Sequence, residues 1–348
     1  MKEKVIAFPR MTHFQTTRFG RYELLERVSV GGMYTVYRAR DTEAPDPHRL
    51  VAVKQLHDRC AGDSAFLEVF RVTARRAMAC QHDNVIQVLD FGDVAGTYFL
   101  VQEWVDGQVL RQAQHRFTRA FGMKRLPAHL AVRIAIDLCR GLHHVHTQLE
   151  LLQVELSPGE VLLGLEGEVK VYGFELHREM LSRELGGVFR PKLTYLSPEQ
   201  ISGDAKDARS DVYLAGVVVY QMLCGALHID GDHDFARLEQ IREGRLVPAR
   251  MHNPSLDDGL VAILERAMAT RPEDRYPSAE SMQQALSEWL DAHAPGLHPG
   301  TLKHWMSWLY QDELARRGRE FSLPLGFLAQ LESWRASAQA GRSNRPSA

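Results

Sequence analysis

Between Tyr22 and Arg40, and again between Leu50 and Gln55, the chain is patterned for strands: Val28, Val30, Val36 and Tyr37, then Val51, Ala52 and Val53. β-Branched and aromatic residues at this density suit a pleated, half-buried surface. The spacing changes to a helical one over Ser64 to Cys80, and two further strand-like runs follow, Val85–Val88 and Thr97–Val101. Beyond Gly107 the pattern is helical, over Leu130–His146, Val212–Cys224, Leu260–Ala269 and Ala279–Ala292. A small β-rich part thus precedes a larger helical part, with no internal repeat. After Ala294 a new stretch begins. Pro299-Gly300-Thr301 predicts a helix start with Thr301 as N-cap, and Leu302, Trp305, Trp308 and Leu309 share one face. A second helix is predicted from Pro324 to Ala338, with Phe327, Leu328, Leu331 and Trp334 as its apolar stripe.

Val212 to Ile229 holds no Asp, Glu, Lys or Arg. That approaches the roughly 18 residues needed to suspect a membrane span. Gly216, Gln221, Gly225 and His228 interrupt it, and Asp211 and Asp230 flank it, so a helix buried on all sides is expected and no membrane contact. The 348 residues carry 42 basic and 44 acidic side chains, a formal charge of -2, which gives no field to gather nucleic acid. Cys60, Cys80, Cys139 and Cys224 are scattered without a C-x-x-C pair, which fits a reducing, cytoplasmic setting and neither a disulfide framework nor a zinc site. The apolar run Val5-Ile6-Ala7-Phe8 is too short for a signal peptide.

Candidate chemistry lies in four segments. Ser29-Val30-Gly31-Gly32-Met33-Tyr34-Thr35-Val36 follows the first strand, and Val51-Ala52-Val53-Lys54 ends in a lysine. Gln153-Val154-Glu155-Leu156-Ser157-Pro158-Gly159-Glu160-Val161-Leu162-Leu163 follows a long helix, and Val169-Lys170-Val171-Tyr172-Gly173-Phe174-Glu175-Leu176 comes soon after. In order and spacing these segments resemble the bacterial eukaryotic-like (Hanks-type) Ser/Thr protein kinases, with His82-Asp83-Asn84-Val85, Ser197-Pro198-Glu199, Asp207 to Tyr213 and Arg271 to Tyr276 matching further family motifs. The likeness runs from about Tyr22 to Ala292. It implies an α+β, two-lobed fold: a tail over 1–18, a kinase-like domain over 19–295 with lobes at about 19–105 and 106–295, a helical extension over 296–340 and a disordered tail over 341–348.

The same likeness assigns roles, and the departures from it sort by chemistry. The loop pattern G-x-G-x-x-G-x-V keeps only its middle glycine, Gly31; Ser29 and Tyr34 hold the outer positions, with Tyr34 expected to crowd the space over the phosphates. Val36 and Ala52 match residues that pack on an adenine, Lys54 the lysine that meets the phosphates, and Leu162 the residue under the ring. Gln102 holds the gatekeeper position, followed by Glu103-Trp104-Val105 as the hinge. The lysine's usual glutamate partner aligns with Thr73, and Glu68 falls on another face of the helix. Glu155 stands at the catalytic base position, one methylene longer than aspartate, and a displacement of ~1 Å can cost about 10²-fold. Val154 replaces the arginine that reads a phosphorylated activation segment, Ser157 the lysine that steadies the phosphoryl group, Glu160 a metal-holding asparagine. Gly173 replaces the magnesium-binding aspartate, while Phe174 is kept and Glu175 replaces the next glycine.

Groups that position the fold survive: Ala52, Phe174, Glu199, Asp211 and Arg275, with Arg275 expected to pair with Glu199. Groups that handle phosphate, metal and proton are replaced, Lys54 excepted. The expectation is a pseudokinase that needs no cofactor or metal and works through a protein partner, an active kinase or its substrate. ATP either binds weakly without magnesium or finds its pocket filled by Tyr34. A slow Ser/Thr kinase, with Glu155, Glu160 and Glu175 rebuilding a metal site, is the alternative. The histidines of His143-His144-x-His146 are expected to pack and to complement a helix C-terminus rather than to bind metal.

Overall fold

The computed structural model describes residues 16–31, 33–46, 48–62, 64–152, 156–174, 193–231 and 233–343. The expectations placed on the first fifteen residues, on Val154, Glu155 and Glu175, and on 344–348 lie outside the described residues. The chain forms two compact units. One takes in the described residues up to Ala79 together with Gln87–Trp104; the other holds Cys80–Ile86 and the described residues from Val105 onward.

The first unit is built on strands β1 (Thr17–Phe19), β2 (Tyr22–Val30), β3 (Tyr34–Asp41), β4 (Leu50–Leu56), β5 (Val88–Val94) and β6 (Thr97–Glu103). They form an antiparallel sheet in the order β1-β2-β3-β4-β6-β5. The register pairs Ala39 with Val51, Tyr37 with Val53 and Val53 with Val101. Because side chains alternate, these residues share one face, where Phe19, Tyr22, Leu24 and Phe99 complete a small core. The Phe99 ring meets Phe19 and Tyr22 edge-on at 5.4 and 5.7 Å. The other face of the same strands carries Val36, Ala52, Lys54 and Gln102, so the pleat alone gathers the candidate residues. Helices α1 (Asp58–Ala61) and α2 (Ser64–Met78) accompany the sheet. The strand expected at Val85–Val88 is displaced to Val88–Val94. Val85 belongs to the second unit, where it makes an isolated bridge to Val171. Asp90, Gly92 and Asp93 are poor strand formers, but at a sheet edge the run needs to hydrogen-bond on one side only.

The second unit holds a short sheet of β7 (Gly107–Val109), β8 (Val161–Gly164) and β9 (Val169–Val171). Around it lie helices α3 (Leu110–Phe121), α4 (Ala128–Gln148), α5 (Pro198–Ser202), α6 (Ala208–Cys224), α7 (Asp234–Glu243), α8 (Ala249–His252), α9 (Asp258–Ala267) and α10 (Ala279–His293). The uncharged run is α6. It is buried on nearly every side, Asp207 caps its start by accepting the Arg209 N–H, and Gly225 ends it in a left-handed turn. Among the described residues no helix is long and apolar enough to cross a membrane.

The C-terminal stretch forms α11 (Thr301–Leu309), α12 (Gln311–Arg316) and α13 (Leu325–Ser343), and it belongs to the second unit. Leu302, Trp305, Leu309, Phe327, Leu331 and Trp334 are buried in that unit's core. The Trp305 and Trp334 rings both lie near Phe117, at 6.0 and 6.5 Å. Two details correct the sequence reading. Gly300 precedes the first turn of α11, and Thr301 sits inside it, its hydroxyl donating to the His298 carbonyl at 2.7 Å. Leu328 is exposed, because the buried stripe of α13 runs through Phe327, Leu331 and Trp334 at spacings of four and three. Ion pairs fasten the extension at its rim. Arg116 grips Glu313 with both terminal guanidinium nitrogens, Asp106 receives Arg317 at 2.7 Å and Arg319 at 2.6 Å, and Glu166 receives Lys303 and Arg319.

Candidate functional site

In the first unit, β2 and β3 form a hairpin closed by the Gly31 N–H donating to the Tyr34 carbonyl at 2.9 Å. Gly31 is outside the left-handed region, and a Cβ there would meet nothing closer than that carbonyl at 3.4 Å, so the backbone does not demand a glycine. The hairpin is tied down. The Met33 carbonyl accepts the His57 N–H at 2.8 Å, Met33 is buried, and the Thr35 hydroxyl meets His57 Nε2 at 3.0 Å. Tyr34, at an outer glycine position of the loop pattern, is the first residue of the returning strand.

Tyr34, Val36, Ala52, Lys54 and Gln102 lie on one sheet face, with Val36 directly opposite Lys54 and Ala52 opposite Gln102. Lys54 is only 4% exposed, and its Nζ lies 5.2 Å from the centre of the Tyr34 ring. At that distance the ring face attracts the ammonium. Thr73 is buried on the inner stripe of α2 with Phe66, Phe70, Ala74 and Ala77, while Glu68 is exposed on a different side of the helix. Gln102 is buried. Glu103 turns towards β5: its Oε1 accepts the Gln87 N–H at 2.8 Å and its own N–H donates to the Gln87 carbonyl at 3.0 Å. The change of unit falls between Trp104 and Val105.

In the second unit, Leu162 lies half-buried on β8, between Val109 on one side and Lys170 on the other. Ahead of it, Ser157-Pro158-Gly159-Glu160 is a tight turn in which the Glu160 N–H donates to the Ser157 carbonyl at 2.9 Å. The Ser157 hydroxyl also donates to the Glu160 carboxylate, and both residues are buried, 2% and 4% exposed. The turn is held further by the Tyr172 hydroxyl on the Gly159 carbonyl and by the Arg111 N–H on the Pro158 carbonyl. The two residues expected at the phosphoryl-contacting and metal-holding positions are therefore bonded to each other. Gly173 has a φ of 103°, a conformation that L side chains rarely adopt, and Phe174 beside it is buried. Glu155 and Glu175, the other carboxylates considered for a rebuilt metal site, lie outside the described residues. Among the described residues no three acidic, histidine or cysteine side chains are grouped to hold a metal ion.

The Arg275–Glu199 pair read from the sequence is formed. Arg275 meets Glu199 through two hydrogen bonds of 2.7 and 2.8 Å, both side chains buried, and Ser210 donates to the same carboxylate at 2.6 Å. Burial by itself would push the Glu199 carboxyl up, but the Arg275 guanidinium and the Ser210 hydroxyl outweigh it and hold it down at about 2. The guanidinium also donates to three backbone carbonyls, of Ala269, Arg209 and Thr270, and lies over the Tyr213 ring. Asp211 is fully buried against His146, Oδ2 to Nε2 at 2.7 Å. The three neighbouring histidines go separate ways: His146 to Asp211, His144 stacked on His82 at 4.6 Å, and His143 towards Glu280. The Ser157–Glu160 bond was the main feature missed from sequence. A serine three residues before a glutamate across Pro158-Gly159 was its only signal.

The family model described as a protein kinase domain matches residues 22–289. The tyrosine-protein kinase MasK of Myxococcus xanthus is 32% identical over 289 residues, covering 80% of this chain and 44% of that protein. The serine/threonine-protein kinase PksC of Streptomyces coelicolor is 32% identical over 293 residues, covering 81% and 51%. PknB of Mycobacterium tuberculosis, another serine/threonine-protein kinase, is 34% identical over 275 residues, covering 76% and 42%. The chain spans about half the length of the curated relatives it matches. Among solved structures, the kinase domain of Mycobacterium tuberculosis PknI aligns with a TM-score of 0.61 at 24% identity, covering 78% of this chain and 98% of that one. That likeness speaks for the fold alone.

Proposed function

The chain belongs to the protein kinase domain family, with bacterial Ser/Thr kinases among its homologues, and from that premise we propose that it acts as a pseudokinase. Its fold is the α+β fold of that family, a β-sheet unit and a helical unit. The observation that carries the reading is Gly173. The residue that should offer magnesium a carboxylate offers no side chain, and it adopts a backbone conformation that suits glycine. Thirteen residues earlier, Glu160 is engaged with Ser157 rather than presented as a ligand. The described residues do not fit a magnesium ion held in the family's manner, so no transfer step is assigned through one. In the first unit Tyr34 lies over the Lys54 ammonium, which supports the reading in which the lysine already has an aromatic partner where a phosphate is expected. ATP is then unnecessary, and any binding is weak and independent of magnesium. The remaining role is that of a signalling scaffold or allosteric partner for an active kinase or its substrate, in the cytoplasm, without nucleic acid or membrane.

A slow Ser/Thr kinase is the second reading. It is favoured by the buried Lys54, kept on the same sheet face as Val36, Ala52 and Gln102. Thermal denaturation with ATP separates the two. The pseudokinase reading expects a small or absent shift in melting temperature, the same with and without magnesium, and a larger shift in the Tyr34→Ala variant. Stabilisation of the unaltered protein that requires magnesium would favour the enzyme.

A further inference from the structure

The outer face of α2 carries chemistry that the fold does not use. Its inner stripe, Phe66, Phe70, Thr73, Ala74 and Ala77, is buried. Its outer side exposes Arg71, Val72, Arg75 and Arg76, and Met78 follows at the C-terminal end. Val72 is 41% exposed and Met78 37%, so apolar surface lies among the guanidiniums. The helix has one carboxylate, Glu68, against these three cations. Arg71 and Arg75 are four residues apart, a like-charge spacing that works against the helix, and Arg76 adds a third charge beside them. The helix C-terminus offsets part of that repulsion at Arg75 and Arg76.

Exposed arginines elsewhere on the protein are commonly paired, as in Arg209 with Asp207, Arg245 with Glu243 and Arg271 with Glu273. On α2, neither Arg75 nor Arg76 has an ion-pair partner among the described residues, and Arg71 only leans on Tyr98, its Cζ 5.7 Å from the ring centre. A chain with a net charge of -2 thus keeps a concentrated, unneutralised positive face, and that face includes accessible apolar side chains.

We infer that this face of α2 docks an acidic polypeptide segment with apolar side chains at intervals. Carboxylates would meet Arg71, Arg75 and Arg76, and the apolar side chains would cover Val72 and Met78. Charge complementarity makes the choice of partner, and the exposed valine and methionine favour a polypeptide over a plain polyanion. This rests on the partner half of the reading above and not on the absence of catalysis, so it stands or falls separately from any measurement of ATP turnover.

The test is fluorescence anisotropy on the full chain with three synthetic probes: a labelled Glu/Leu amphipathic peptide, its Gln/Leu counterpart and its Lys/Leu counterpart. Binding of the Glu/Leu probe is expected to exceed that of the Gln/Leu probe and to fall at least about tenfold in Arg71→Glu/Arg75→Glu/Arg76→Glu. A control variant, Arg242→Glu/Arg245→Glu at the C-terminal end of α7 and just beyond it, should bind as the unaltered protein does, and the triple variant should gain affinity for the Lys/Leu probe. Equal binding of the Glu/Leu and Gln/Leu probes would overturn the inference, as would equal loss in the control variant. A single-stranded oligonucleotide or anionic vesicle that competes as well as the Glu/Leu peptide, and loses binding in the same triple variant, would also overturn it, by identifying a general polyanion surface.

Discussion

His228 and Glu199, both buried in the second unit, answer to acid in the same direction over different ranges. His228 is 1% exposed between Tyr213 and Tyr220, and neither ring nitrogen has a partner among the described residues. Burial pushes its imidazole down to about 4 from the ordinary 6.5. The folded chain therefore holds it neutral while the unfolded chain takes up a proton. The stability this represents is whole above pH 6.5 and is lost as the pH falls towards 4, roughly 3 kcal/mol in all. Glu199 is depressed from 4.5 to about 2, so its contribution is whole above pH 4.5 and drains as the pH falls towards 2. Melting temperature should thus decline between pH 6.5 and 4, and His228→Leu should flatten that decline while leaving the loss below 4.5 in place. An unchanged slope in His228→Leu would mean the imidazole reaches water. For the ion pair, Arg275→Ala should cost about 3–5 kcal/mol in urea unfolding, since it strands a buried carboxylate. Adding Glu199→Ala to it should restore part of the loss, because the stranded charge is then gone.

At the scale of elements, the extension shows which interactions hold and which only orient. Trp305 is fully buried near Phe117, so Trp305→Ala should destabilise by about 3–5 kcal/mol. Asp106, half-exposed where it receives Arg317 and Arg319, is worth at most ~1 kcal/mol to the fold. Chemical denaturation of Trp305→Ala and Asp106→Ala measures both, and a larger loss in Asp106→Ala would reverse this ranking. How far elements were legible followed from periodicity. The buried α4 and the extension helices α11 and α13 were readable because their apolar spacing is helical and sustained, and α6 because its run holds no charge. Helix α3 was not assigned, although Leu110, Ala113, Phe117 and Phe121 have helical spacing with polar residues between them, the pattern of a helix buried on one face. The strand at Val88–Val94 escaped because edge position, which tolerates Asp90, Gly92 and Asp93, is a property of the sheet and not of the segment.

For the whole molecule, the order of motifs along the chain made the fold legible, since each motif marks one element and the elements come in one sequence. The same order of motifs assigned the residues expected at the phosphate and metal positions. What those residues do now was not legible, because it depends on partners brought in by the fold. The Tyr34 ring reaches Lys54 only because β3 and β4 pair with Tyr34 opposite Leu56 and Val36 opposite Lys54. Glu160 is engaged by Ser157 because the turn between them closes tightly. Both contacts point the same way, towards side chains that satisfy one another where the family would present them to nucleotide and metal. The measurement that tests this most directly is autophosphorylation with labelled ATP, in magnesium and in manganese, of the unaltered protein beside Lys54→Ala. The account predicts no incorporation above that of Lys54→Ala with either metal. Metal-dependent incorporation that disappears in Lys54→Ala would contradict it.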